Sequence, residues 1–138
     1  MPEVTFNEVK GPVARSLAAQ WLTERFLTLT PSTSLDEAEI VNVLSLIASH
    51  PDLPSIDPPE LYAFSLARRL KAPLLTDNKA PKRLVEAVAE YGGVEVLDSL
   101  DVLVKVEPDR VKLKELVKRF MSDTSFKFSS RRLEELGV

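Results

Sequence analysis

Apolar residues recur at helical spacing in several separate stretches of the chain. After the Gly11–Pro12 break, Ala14, Leu17, Ala18 and Trp21 fall at i, i+3, i+4 and i+7. This spacing predicts an amphipathic helix over 12–25, with Trp21 on its core side. Ser34 with Glu37 reads as a capping box ahead of Ile40, Val43, Leu44 and Ile47. Asp57 before Pro58 is a favoured helix start, and Ala63, Leu66, Ala67 and Leu70 supply the stripe that follows. Leu84, Ala87, Val88 and Tyr91 predict a further helix, and Leu113, Leu116, Val117 and Phe120 another. Ser129 or Ser130 can cap a last short one.

Between these stripes lie short apolar runs of strand length: FLTLT (26–30), PLLT (73–76) and VEVL (94–97). VLVKV (102–106) suits a strand or a helix equally. The first ten residues are also ambiguous. Val4 and Phe6 alternate like a strand, whereas Pro2, Glu3 and Glu8 suit a helix. Strands alternating with helices predict an α/β fold, in which helices cover both faces of a mostly parallel, short-stranded sheet in three α/β/α layers. The loop-like SHPDLPSIDPP (49–59) separates two helices, and residues 1–138 read as one domain.

Composition narrows the chemistry. At 44% apolar and 28% charged residues, the chain suits a soluble globular protein. No apolar run approaches the ~20 residues of a membrane span, and the N-terminus lacks a signal-peptide pattern. The absence of cysteine removes disulfides and thiolate metal sites and points to a reducing, cytoplasmic setting. His50 is the sole histidine and reads as a solvated loop residue, so a metal site would be built from oxygens. Charge is uneven. Residues 1–107 carry ten basic and sixteen acidic side chains, and 108–138 carry eight basic and five acidic ones. A basic helical tail on an acidic body suits a phosphate-bearing partner, or simply a solvated surface of mixed sign.

Two places stand out as candidate chemistry. Thr76-Asp77-Asn78 follows PLLT directly and precedes a helix, where the carboxyl end of a parallel strand presents ligand-binding groups. The same residues also serve as a turn and helix cap. Glu60 stands three and seven residues before Ala63 and Ala67, on the apolar stripe, where an unpaired carboxylate is costly. Either a metal ion or a capping-box pairing with Asp57 would satisfy it.

IDPPELYAFSLARRLKAPLLTDNKAPKRL (56–84) resembles the signature half of the PIN domain family: an acid opening an Ala/Leu-rich helix, a strand, a Thr-x-Asp turn and a helix. PEVTFNEVKGPVAR (2–15) looks like that family's preceding Glu-Val-Lys segment, and the order continues through GGVEVLDSLDVLVK into the basic helix. The resemblance implies a metal-dependent endoribonuclease of the toxin or RNA-processing kind. It places Glu8 and Glu60 on two of the family's site acids, facing one another across a cleft with Asn78 nearby. Mg²⁺ or Mn²⁺ would be held by such carboxylates and would activate a water against an RNA phosphodiester. Thr76, Lys79, Lys82 and Arg83 would bind the RNA.

Two departures qualify that expectation. Asn78 stands where the family has its last acid, with Asp77 beside it, and no strand carrying the first acid precedes Glu3. Half the site's charge is missing, which predicts weak or no catalysis and favours a degenerate module that binds RNA or a protein. A sheet lacking that strand would leave an open edge. The edge predicts self-association, a homodimer by preference, or capture by a small inhibitory protein. A coincidental match in an unrelated α/β domain is the third reading.

Overall fold

The structure is a computed structural model that describes residues 1–138. In chain order the elements are α1 (Glu3–Asn7), α2 (Pro12–Thr23), α3 (Ser34–Ser49), α4 (Pro58–Leu70), β1 (Leu74–Leu75), α5 (Lys79–Ala87), a 3₁₀ turn (Ala89–Tyr91), β2 (Val96–Leu97), α6 (Ser99–Val106), α7 (Arg110–Thr124) and α8 (Ser130–Leu136). The chain is 64% helix and 4% strand, with a single two-stranded parallel sheet, so the expected three-layer α/β/α fold is not formed.

The apolar runs explain the difference. FLTLT reaches one bridge only, Thr30 beside Pro2, with the Thr30 amide donating to the Met1 carbonyl at 2.9 Å. The run begins beside Arg25 at φ 58°, and Phe26 is exposed. In VEVL, the Val94 amide donates to the Tyr91 carbonyl, which closes a turn and leaves two residues for the strand. VLVKV is helical because Asp98 and Asp101 form a reciprocal capping box just upstream. Short apolar runs fit a buried helix as well as a strand, and here capping decides.

The chain forms two compact units. The first is Met1–Leu74 with Asn78–Val96, and the second is Leu75–Asp77 with Leu97–Val138. In the first, the Leu74 amide donates to the Glu95 carbonyl at 2.8 Å; in the second, the Thr76 amide donates to Leu97 at 2.9 Å.

In the first unit α4 is the central helix, and both α3 and α1 pack on it. Of the predicted stripe, Leu66 and Ala67 are buried and Ala63 packs against the core, while Leu70 is exposed; Leu61 and Phe64 complete the buried face. Phe64 is fully buried and meets the Tyr91 ring edge-on at 5.3 Å, while the Arg68 guanidinium lies over the other aromatic partner, Tyr91, at 4.8 Å. α3 is capped one residue earlier than predicted, by Thr33 and Asp36, not by Ser34 and Glu37. Asp36 is 2% exposed. One of its oxygens accepts from Thr33, and the other accepts from Ser65 Oγ at 2.8 Å. Arg69 of α4 donates to both. This cluster joins the start of α3 to the middle of α4. His50 is an exposed residue just beyond α3, as expected, with its Nδ1 2.9 Å from the Leu46 carbonyl.

α2 forms where its periodicity predicts, but its stripe is not core. Only Ala18 is buried, whereas Val13, Leu17 and Trp21 are 82%, 41% and 38% exposed. The Trp21 ring meets the exposed Phe26 ring edge-on, at 5.5 Å.

In the second unit, Leu100 of α6 and Leu113 and Val117 of α7 are buried together. Leu133, Leu136 and Val138 from α8 and the segment beyond it pack on them. Ser129 caps α8, accepting from the Arg132 amide at 3.4 Å.

Candidate functional site

Glu60 sits in the first turn of α4, half-buried at the head of the face that Phe64 and Ala67 bury. Pro58 and Pro59 start that helix, and their lack of an amide hydrogen costs nothing where the first amides have no intrahelical partner. No Asp57 side-chain cap forms. The Glu60 carboxylate instead accepts from Asn78 Nδ2 at 2.6 Å. Asn78 is the N-cap of α5, and its Oδ1 accepts from the Ala80 amide at 3.0 Å. That backbone donor fixes the orientation of the side-chain amide. The oxygen faces the helix end, and the NH₂ faces Glu60. Both halves of the amide are therefore in use.

Glu8 is brought only part of the way. α1 lies against α4, with Thr5 Oγ1 donating to the Pro59 carbonyl at 3.3 Å, which carries the Glu8 helix toward the start of α4. Glu8 itself is the exposed C-cap of α1, and its carboxylate makes no hydrogen bond to Glu60 or Asn78. Asp77 belongs to the second unit and is committed there. It accepts from the Ser99 amide at 2.9 Å and from Ser99 Oγ at 2.7 Å. It thus holds the start of α6. Thr76 lends its backbone amide to Leu97.

The residues do not fit a divalent ion as they stand. No group of three carboxylate or imidazole side chains is gathered anywhere in the chain. At Glu60, the half-buried carboxylate of the candidate site, an amide NH₂ points at the oxygen, where a cation would have to bind. Asn78 would coordinate through the oxygen that caps α5, which would break that cap.

The cations fare differently. Lys79, Lys82 and Arg83 lie at i, i+3 and i+4 of α5, all exposed and opposite the buried Ala80 and Leu84. None of the three makes an ion pair. The same unit also has a cavity of about 400 Å³ between Arg68, Lys71, Glu90 and Glu95, but Arg68 is neutralised there by Glu39 and Glu90. That cavity is lined by none of the candidate site residues read from the sequence. Asp36 and Arg69 were not singled out in the sequence; the Thr33-x-x-Asp36 spacing signals Asp36, and nothing local signals Arg69.

No known protein-family model matches the chain, and no curated protein and no solved structure matches it significantly.

Proposed function

We propose that this chain is a non-catalytic, RNA-binding module related in sequence to PIN-type endoribonucleases. The observation that carries this reading is the Asn78–Glu60 hydrogen bond, which joins the two matched site positions through an amide where a nuclease would need a cation. The motif order supports the relationship: an acid at the head of α4, then β1, the Thr-Asp-Asn turn and α5. Lys79, Lys82 and Arg83 are the phosphate-binding groups. Three unpaired cations on one helix face attract a polyanion without reading its sequence.

Fluorescence anisotropy with a labelled U12 RNA tests this. Binding should persist in EDTA and be unchanged by Mg²⁺ or Mn²⁺. The Lys79→Ala/Lys82→Ala/Arg83→Ala variant should bind at least about tenfold more weakly, and its log K against log salt slope should be shallower by roughly 2. A mixed RNA pool should stay intact under the same conditions. EDTA-sensitive cleavage that Glu60→Gln abolishes would overturn the non-catalytic reading. Tight binding that the triple variant leaves unchanged would overturn the assignment of α5.

A second observation favours self-association. Val13, Leu17 and Trp21 form an exposed apolar line on α2. The same face on a second copy is a complementary partner, because two-fold pairing buries both lines at once. Sedimentation velocity should show a concentration-dependent dimer that Val13→Glu/Leu17→Glu dissociates. A single monomeric species from low to high concentration would remove this reading.

A further inference from the structure

We infer that the second unit carries a base-stacking ledge for single-stranded RNA, built on Phe126 within the basic segment 110–128; this rests on the RNA-binding reading above. Three phenylalanines meet where α7 ends. Phe120 and Phe128 stack at 5.5 Å with an interplanar angle of 25°. Phe126 stands across both, at 77° to Phe120 and 67° to Phe128, with centroids 6.4 Å and 5.1 Å away. Neither neighbour is stacked parallel on it. Phe126 is also the most exposed of the three, at 36%.

The ring is held in place by local structure. Ser125 at φ 59° ends α7 in the left-handed conformation, turning the chain sharply. The Phe126 amide donates to Thr124 Oγ1 at 3.2 Å, and that hydroxyl donates to the Phe120 carbonyl at 2.7 Å. An aromatic side chain fixed in this way, with little freedom left to lose, is a ready platform for a flat ligand. A buried role would have turned Phe126 inward as it did Phe128, which packs on the Leu100 core.

The surrounding charge selects the kind of flat ligand. Residues 110–128 carry six basic and two acidic side chains. One acid, Asp123, is paired with Arg119. Lys114 and Lys118, one turn apart on α7, and Lys127, next to Phe126 in sequence, are exposed and make no ion pair. The carbonyl end of α7 repels phosphate, so the nucleotide meets Phe126 through its base while the lysines take the backbone. A stacked base flanked by phosphate contacts requires an unpaired strand, because duplex bases present no free face.

The test uses the full chain, with U12 RNA and a hairpin-free duplex of equal length as probes. Phe126→Ala should weaken U12 binding by about tenfold, leave duplex binding unchanged, and leave the thermal transition in place because the ring is partly exposed. Phe126→Trp should retain binding. In the Phe126→Trp/Trp21→Phe chain the indole at 126 is the sole tryptophan, and U12 should quench it. Full U12 binding by Phe126→Ala, or no quenching, overturns the ledge while leaving the α5 reading standing. If the wild-type chain binds no RNA at all, both fall together.

Discussion

Replacing Asp36 with alanine is expected to lower the stability of the first unit by about 3 kcal/mol, since removing one partner of a buried hydrogen-bonded ion pair costs of that order. Three things are lost at once. Thr33 loses the acceptor that completes the α3 cap, Ser65 is left with a buried hydroxyl, and Arg69 loses its carboxylate. Arg69 is 31% exposed and can return to water, which keeps the loss at the lower end. Asp36→Asn keeps the shape and can still accept from Ser65 or Arg69, so about 2 kcal/mol is expected for it. Trp21 reports this unit, and urea unfolding followed by its fluorescence reads the change. Equal midpoints for wild type and Asp36→Ala would show that the cluster is dispensable.

The same residue sets the acid limit. Burial alone would push the Asp36 carboxyl up. Hydrogen bonds from Thr33, Ser65 and Arg69 outweigh it and hold the group at about 2, below the ordinary 3.8. A carboxyl depressed by folding contributes stability that is fully present above its unfolded value and is lost as the pH falls through the folded one. The window is therefore pH 4 to 2. Over it the wild-type unit should lose about 2 kcal/mol more than Asp36→Ala does.

Helices α2, α3, α4 and α7 were legible because each carries an apolar stripe at helical spacing that acts locally. By contrast, α1 and α6 read ambiguously, and the stripe through Val88 and Tyr91 runs past the end of α5 at Ala87. Pro12, Pro58 and Ser129 all sit at helix starts. The sheet was not legible. FLTLT, VEVL and VLVKV are too short for periodicity to separate strand from buried helix, and pairing partners decide between them. Trp21 shows the limit in another way. A stripe states that a face is apolar, but not that the fold contains anything to cover it.

The site was legible in its order but not in its contacts. Glu60 on the buried stripe and Asn78 at the strand end do come together, as the motif order implied. Asp77 and Asn78 are adjacent, yet they serve different units, because successive side chains in an extended turn point apart and each finds a different amide to cap. Glu8 ends on the surface at a helix C-cap, where nothing in its own segment turns it inward.

In the second unit, Arg132→Ala should destabilise by about 2 kcal/mol, the order measured when a partly buried charge is deprived of its partner. Asp98 and Asp101 each use one oxygen to cap α6. Asp98 Oδ1 accepts from the Asp101 amide at 2.8 Å, and Asp101 Oδ2 accepts from the Asp98 amide at 3.0 Å. Their remaining oxygens converge on Arg132, whose Nη1 donates to Asp98 and whose Nη2 donates to Asp101 at 2.7 Å. Without the guanidinium, two close carboxylates repel at the helix start, and α8 loses the tie that presses Leu133 and Leu136 onto Leu100. Arg132→Lys should recover less than half of the loss, because an ammonium is a single point of charge and cannot fork to two carboxylates. This unit has no tryptophan or tyrosine, so amide hydrogen exchange is the measurement. The α8 amides should exchange faster in Arg132→Ala, by roughly tenfold or more for ~1.4 kcal/mol or greater, while α3 and α4 amides keep their protection. Unchanged α8 protection would mean that the apolar contacts alone hold the helix and the fork is incidental.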